Sequence, residues 1–398
     1  MVEWKHMWEV TTWDKKFTGV DKSMQPDIKK YHYYLANELT NLERPDGDIR
    51  ILYTTDKIAY AHSIDVEENV SEGEVVAIPW GGNVSVKYYK GRFITADNRI
   101  ATSNNTSLLN NKFLYYWMLS QKSDIESFYR GAGIKHPSMF KVLNMLIPIP
   151  SLSEQQRIVS ILDTFTSSIS NLKQQIEERR KQYEYERDLL LDLEGKEGVE
   201  MKKLGEVGDI CMCKRIMKDQ TSEKGDIPFF KIGTFGGKAD AYISRELFED
   251  YKEKYSYPKK GEILISAAGT IGRTVVFNGE DAYFQDSNIV WISNNEQLVL
   301  NTFLRYLYGV IDWKIDGGTI KRLYNYNLKN ATIYVPTLQA QSRIVSILDT
   351  FEQSISNLEE QLAMREKQYE YYRNQLLTFE GGGRERKDLK GKRETWEG

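Results

Sequence analysis

The chain has 398 residues and a formal net charge of -3, with 40% hydrophobic and 12% aromatic residues. That content supports packed cores in two or three domains and excludes a chain disordered throughout. There is no run of eighteen apolar residues to cross a membrane. MVEWKHMWEV lacks the basic-then-apolar order of a secretory signal, so the chain reads as cytoplasmic with no membrane partner. Cys211 and Cys213 are the two cysteines, too few for a disulfide framework or a thiolate metal site. The acidic excess sits mostly in two helical segments, which leaves the globular parts near neutral and able to present basic faces.

Residues 1–150 form the first globular stretch. Strands are expected over 74–78 and 84–89 and a helix over 111–120. Between the strands lies IPWGGN, with Trp80 and Asn83. It is followed by Lys87, Tyr88, Tyr89, Lys90, Gly91 and Arg92. Cations interleaved with tyrosines suit phosphate and base contacts, although an exposed hairpin strand explains them equally well. Lys15 and Lys16 are candidates only because a nucleic-acid face needs cations, a pair of lysines being usually plain solvated surface, and Lys135 lies in the segment that matches Lys321.

A spacer helix over 151–194 follows, with a seam of Ile158, Leu162, Phe165, Ile169, Leu172 and Ile176. Their alternating spacings of four and three keep one apolar stripe facing a partner helix. Ser153 is placed to cap it. Residues 195–199 are a linker. The helix then recurs: 26 of 43 positions are identical between 151–193 and 337–379, at an offset of 186. The second seam is Ile344, Leu348, Phe351, Ile355, Leu358 and Leu362, in a helix over 337–380. Arg179 and Arg365 interrupt the two seams at matching places. At 1.5 Å per residue each helix spans roughly 60 Å. The repeat extends upstream, matching 149–150 to 335–336, 132–135 to 318–321 and 73–76 to 261–264.

The second globular stretch, 200–336, is expected to hold strands over 262–266, 274–277 and 289–292 and a helix over 301–310. GEILISAAGTIG at 261–272 runs a strand into a glycine loop ahead of Arg273. Its backbone amides, with Thr270 and Arg273, suit a phosphate, and a plain hairpin turn is the other reading. Lys321, Arg322, Tyr324 and Asn325 combine cations, a ring and an amide, a composition that fits base edges. Lys214 and Arg215 are weaker candidates. Residues 381–398 read as a disordered tail. The predicted architecture is therefore α+β: two β-rich domains joined by two long antiparallel coiled-coil helices with pseudo-two-fold symmetry.

Catalytic signatures are lacking. Gly131 to Lys135 has glycines and a lysine without phosphate-loop spacing. The histidines are isolated, no metal-ligand set is present, and no Asn/Asp-Pro-Pro-aromatic methyltransferase motif occurs.

The Pro-x-Leu-x-x-Gln-x-x-Ile-Val-x-Ile-Leu-Asp stretches at 150–163 and 336–349, the heptads after them and the GEILISAAGTIG segment resemble specificity subunits of Type I restriction-modification systems. The resemblance runs from about Trp4 to Phe379. The first domain departs from it, with IPWGGN in place of SAAGTIG. The resemblance implies a non-catalytic subunit whose two target recognition domains read an asymmetric, bipartite sequence in double-stranded DNA. It implies two methyltransferase subunits carrying S-adenosylmethionine, and restriction subunits using ATP and Mg, with no cofactor on this chain. A scaffold holding two interaction domains that do not touch DNA is the alternative that periodicity alone permits.

Overall fold

Two uninterrupted helices, Leu152–Leu191 and Leu338–Leu376, frame the chain. Neither contains a proline or glycine, so nothing breaks the backbone ladder over about eleven turns. Each starts two residues after a proline, Pro150 or Pro336. Ser151 caps the first, its Oγ accepting from Glu154 N at 3.3 Å, and Thr337 caps the second, accepting from Ala340 N at 3.3 Å. Ser153 is not the cap: it lies inside the first turn, where its hydroxyl meets that of Ser151 at 3.0 Å. The structure, a computed structural model, describes residues 2–316 and 321–380. The tail after 380 and most of the 318–321 repeat match lie outside the described residues.

The chain forms two compact units, and each takes part of both helices. One comprises Met1–Leu172 with the chain from Gln361, the other Lys173–Glu360.

In the first unit a six-stranded sheet runs in the order Thr11–Trp13, Asn98–Ser103, Ser71–Pro79, Lys87–Thr95, Ile49–Leu52, Ile58–Ala61. All its neighbours are antiparallel except Ile49–Leu52 against Lys87–Thr95. The strand expected over 84–89 begins only at Lys87 and runs to Thr95. Val84 and Val86 are apolar because they pack into the core from the loop. Helix Asn111–Ser120 falls where the periodicity placed it. A small pair, Glu3–His6 with Leu146–Ile149, leads the chain into the long helix.

The second unit holds a four-stranded antiparallel sheet in the order Gly208–Cys211, Ile289–Asn294, Ile263–Ser266, Thr274–Val276. A three-stranded sheet, Ala241–Ile243, Ile227–Phe230, Tyr283–Phe284, packs beside it. Again a small pair, Glu200–Lys203 with Thr332–Val335, leads into the long helix. The helix expected over 301–310 ends at Tyr308.

The start of each seam is domain core. Ile158 and Leu162 are fully buried with Phe113, Trp117 and Leu377, while Ile344 and Leu348 sink among Phe303, Leu307 and Leu191. Farther along, the helices pair antiparallel within each unit. Phe165 packs on Tyr369 and Tyr372 at centroid distances of 6.5 and 5.3 Å. Tyr183 packs on Phe351 at 6.5 Å, and Arg180 pairs with Glu359 at 2.5 Å. The seam arginines are not breaks: Arg365 lies over the Phe165 ring at 5.7 Å and Arg179 over Phe351 at 5.8 Å. Each supplies a cation–π contact where an aliphatic knob would otherwise sit. Ile169, Leu172, Ile355, Leu358 and Leu362 are half-buried and Ile176 is buried.

A pair of matched clamps fastens each helix to its domain. Gln155 is fully buried, and its Nε2 donates to Leu108 O at 2.8 Å and Pro150 O at 3.0 Å while its Oε1 accepts from Asn110 N at 2.8 Å. Gln341, also fully buried, repeats this with Leu298 O at 3.0 Å, Pro336 O at 2.8 Å and Leu300 N at 2.8 Å. Two turns on, Tyr116 donates to Asp163 at 2.6 Å and Tyr306 to Asp349 at 2.6 Å. Burial and the adjoining carboxylate raise both phenol pKa values, so the hydroxyls stay donors. Lys112 adds an ion pair to Asp163 at 2.8 Å, and Arg305 one to Asp349 at 3.6 Å. The Gln and Asp of the repeated motif are therefore joints between helix and domain. Replacing Gln155 by Leu strands one N–H and two C=O groups, and should cost about 3 kcal/mol. Urea unfolding checks this, with Gln341→Leu expected to match it in the other unit.

Candidate nucleic-acid interface

In the second unit, strand Ile263–Ser266 runs into a glycine loop and returns as Thr274–Val276. The loop is closed by Ser266 N to Arg273 O at 2.9 Å and Gly272 N to Ser266 O at 3.0 Å. The Ser266 hydroxyl, inside the loop, donates to Thr270 O and accepts from Arg273 N at 2.9 Å. Gly269 and Gly272 have φ of 65° and 84°, and a Cβ on Gly272 would sit 3.0 Å from Trp313 Nε1. Glycine is needed there for both reasons. Thr270 and Arg273 are left exposed, Arg273 leaning on Phe235 O at 3.0 Å.

Two other segments lie against this loop. Leu323 N donates to Ala267 O at 2.9 Å, and Arg322 bridges Ala268. From there the Arg322 guanidinium donates to Asn288 Oδ1 at 2.6 Å and Ser287 Oγ at 3.3 Å. Ser287 takes a φ of 50°, a conformation that costs a non-glycine residue roughly 1–3 kcal/mol and so needs such support. Arg215 reaches the same turn through Asp286 at 3.4 Å. Lys321, Tyr324 and Asn325 are exposed beside it, with Tyr324 stacked on Tyr326 at 5.8 Å and 10°. The fold thus gathers Arg215, Thr270, Arg273, Lys321, Arg322, Tyr324 and Asn325 around one loop. Lys214 is not among them: its ammonium lies over Tyr255 at 5.0 Å.

The first unit builds the equivalent place differently. Loop 80–86 follows strand Ser71–Pro79. Gly82 N donates to Lys135 O at 3.1 Å and Trp80 N to Asp97 O at 3.0 Å, and His136 Nδ1 meets Trp80 O at 2.8 Å. So the segment carrying Lys135 backs this loop as the segment carrying Lys321 and Arg322 backs the other. Trp80 rests on the Arg99 guanidinium at 4.3 Å and near His136 at 5.1 Å. Arg99 and Asp14 are each 1% exposed and paired at 3.1 Å, and Arg99 also binds Asp97 at 2.6 Å. Asp14 accepts from Tyr33 Oη at 2.7 Å and Ile100 N at 2.9 Å as well. Burial still outweighs these bonds and raises its pKa, which marks the pair as costly to bury. Lys15 lies over Tyr33 at 5.2 Å, joining the cluster, while Lys16, Asn83 and Lys135 are exposed.

The run from Lys87 to Arg92 does not reach this loop as a unit, because alternate residues of a strand face opposite ways. Tyr88 is turned inward: it donates to Glu74 at 2.8 Å and packs on Tyr115 and Lys112 of the helix Asn111–Ser120. Lys90 pairs with Glu74 at 3.6 Å. Arg92 is exposed, within electrostatic reach of Asp48. Lys87 faces the other side, held by Thr54 O at 3.1 Å and Ser85 Oγ at 2.7 Å.

Arg99, Asp14 and His136 support the first loop, and the reading of the sequence did not single them out. Arg99 and Asp14 stand 85 positions apart, and no local pattern pairs them. Cys211 and Cys213 serve packing: Cys213 is buried in an apolar cluster and burial pushes its thiol up to about 12.

Two units fastened to long helices by the same joint, each presenting a polar, cation-bearing loop cluster, are the arrangement of a DNA-recognition subunit. The family model described as "Type I restriction modification DNA specificity domain" matches residues 21–179 and 196–364, and the chain belongs to that family. It is 45% identical over 371 residues to a type I restriction enzyme specificity subunit of Haemophilus influenzae, covering 87% of this chain and 94% of that protein. It is 31% identical over 307 residues to a type I restriction enzyme specificity subunit of Escherichia coli, covering 69% of this chain and 72% of that one. Among solved structures, the fold matches the crystal structure of a Type-I restriction-modification S subunit from M. genitalium with a TM-score of 0.62 at 17% identity, covering 95% and 97% of the two chains.

Substituting Asp14 by Ala leaves the buried Arg99 cation with only the exposed Asp97 as counter-charge and takes the acceptor from Tyr33 Oη and Ile100 N, and should destabilise the first unit by about 3 kcal/mol. Thermal unfolding measures this. An Arg99→Met, Asp14→Leu double variant should recover most of the loss.

Proposed function

We propose that the chain reads double-stranded DNA in two unlike half-sites, one at each loop cluster, and brings methylation and restriction subunits to the combined target. The observation that carries this reading is that the joints are alike while the loops differ. Gln155 and Gln341 make the same three bonds, yet one loop is built on Trp80 and Arg99 and the other on Ser266, Thr270 and Arg273. Two different readers on equivalent mounts give an asymmetric, bipartite target, with bases between the halves left unread.

Exposed guanidinium, ammonium, hydroxyl and amide groups at the second loop, and ammonium and amide groups at the first, suit phosphates and major-groove base edges. Half-sites of paired modules lie one helical turn, about 34–36 Å, or more apart, a distance compatible with helices of 40 and 39 residues. The chain is non-catalytic in this account. Two methyltransferase subunits supply S-adenosylmethionine and flip the adenine, and restriction subunits supply ATP- and Mg-dependent cleavage. The matched outer faces of the two helices, rich in acidic residues, are where we place their docking. A scaffold that never touches DNA leaves the loop cations unexplained.

Trp80→Ala should relax base preference in one half of the target only, and Arg273→Ala in the other half only, each by about 1–3 kcal/mol of discrimination. Methylation of a library of single-base target variants reads both at once. Equal loss across both halves from either variant would contradict two independent readers.

A further inference from the structure

Each loop is tied down by one carbonyl from the turn that enters the neighbouring strand. Trp80 N donates to Asp97 O at 3.0 Å, just before strand Asn98–Ser103. Ala267 N donates to Asn288 O at 2.7 Å, just before strand Ile289–Asn294. The two strands are counterparts, since each pairs antiparallel with the strand that runs into the loop. Asp97 and Asn288 therefore hold the same place in the two units. The sequence repeat does not align them: its offset of 186 would set Asp97 against Tyr283.

Their side chains are held alike. Arg99 Nη2 donates to Asp97 Oδ1 at 2.6 Å, and Arg322 Nη2 donates to Asn288 Oδ1 at 2.6 Å. Both arginines are engaged within the protein. Arg99 is 1% exposed and also pairs with Asp14, while Arg322 is half-buried and also reaches Ser287 Oγ at 3.3 Å. A guanidinium offers no acceptor, so the Asn288 amide turns its oxygen to Arg322 and its Nδ2 away. The same bond leaves Asp97 with its second oxygen, Oδ2, beyond the arginine. The Asp97 side chain is 53% exposed and Asn288 is half-buried.

The two places differ in the chemistry of that outer atom. A carboxylate oxygen only accepts, and an amide nitrogen only donates. Every phosphate repels a carboxylate, so Asp97 on a face that meets a duplex needs a donor from the bases. In the major groove the donors are cytosine N4 and adenine N6. Asn288 Nδ2 suits the acceptors of the same groove: guanine N7 and O6, adenine N7 and thymine O4.

We propose that Asp97 and Asn288 are matched base-reading positions, Asp97 accepting from the amino group of a cytosine or adenine in one half-site and Asn288 donating to an acceptor edge in the other. Arg99 and Arg322 are positioning residues that set which atom of each side chain faces outward. The assignment rests on the DNA reading above and adds to each unit a determinant beyond Trp80 and Arg273.

The test is selection from a duplex library randomised at both half-sites, using the full chain with a methyltransferase partner, and sequencing of the bound fraction. Asp97→Asn keeps an oxygen for Arg99 and exchanges only the outer atom. It should move the preference at one position of one half-site from an amino-bearing base toward one that presents an acceptor, by about tenfold, and leave the other half-site as it was. Asn288→Asp should move one position of the other half-site toward cytosine or adenine by a similar factor. A variant that keeps the wild-type preference at every position, or that loses enrichment evenly without changing preference, overturns the assignment of its residue and leaves the DNA reading standing. A wild-type complex that enriches no sequence overturns the DNA reading, and the assignment with it.

Discussion

A buried glutamine at the head of each long helix bonds to three backbone groups, and the rest of the architecture depends on that joint. A helix of about eleven turns can transmit a position only if its end is fixed to what it carries. Apolar packing alone is tolerant of small slides, since Leu and Ile side chains exchange neighbours at little cost. Three directional hydrogen bonds from one side chain are not. With the tyrosine–aspartate bond two turns further on, they fix both the position and the rotation of the helix on its domain. The same joint appears in both units, made of residues 186 positions apart.

Above that joint the two units diverge, and the physics of their loops differs accordingly. The glycine loop of the second unit is held by its own backbone and the Ser266 hydroxyl, so its side chains point outward from a frame that needs little else. The first loop has a bulky Trp80 instead, and the unit supports it from beneath with a buried ion pair. Such a pair adds little net stability, but it holds an indole in one place and makes that loop unlike its counterpart. Divergence in sheets and loops, on joints that do not change, fits a subunit that keeps one way of holding its domains while changing what they present.

Much of this was legible in the sequence because the helices repeat. The offset between copies located both helices, both seams and the motif glutamines and aspartates, and the pattern of glycine and strand residues located the second loop. What the sequence hid was long-range or depended on facing. Arg99 and Asp14 meet only after the sheet closes. Tyr88 and Lys90, though set among cations in the sequence, face Glu74 because strand residues alternate sides. Arg179 and Arg365 look like faults in an apolar stripe until phenylalanines from the other helix are brought beneath them. The domain boundaries read along the chain place each helix whole, whereas each compact unit joins the start of one helix to the end of the other.

The central claim is the proposal that like joints carry two unlike readers of one bipartite target. Genome-wide mapping of methylated adenine, in cells that express this chain with a methyltransferase partner and in cells that lack it, tests that claim most directly. The account predicts one new motif made of two different half-sites with a gap of constant length. A palindromic motif, a gap of variable length, or no new motif from a verified complex would contradict it.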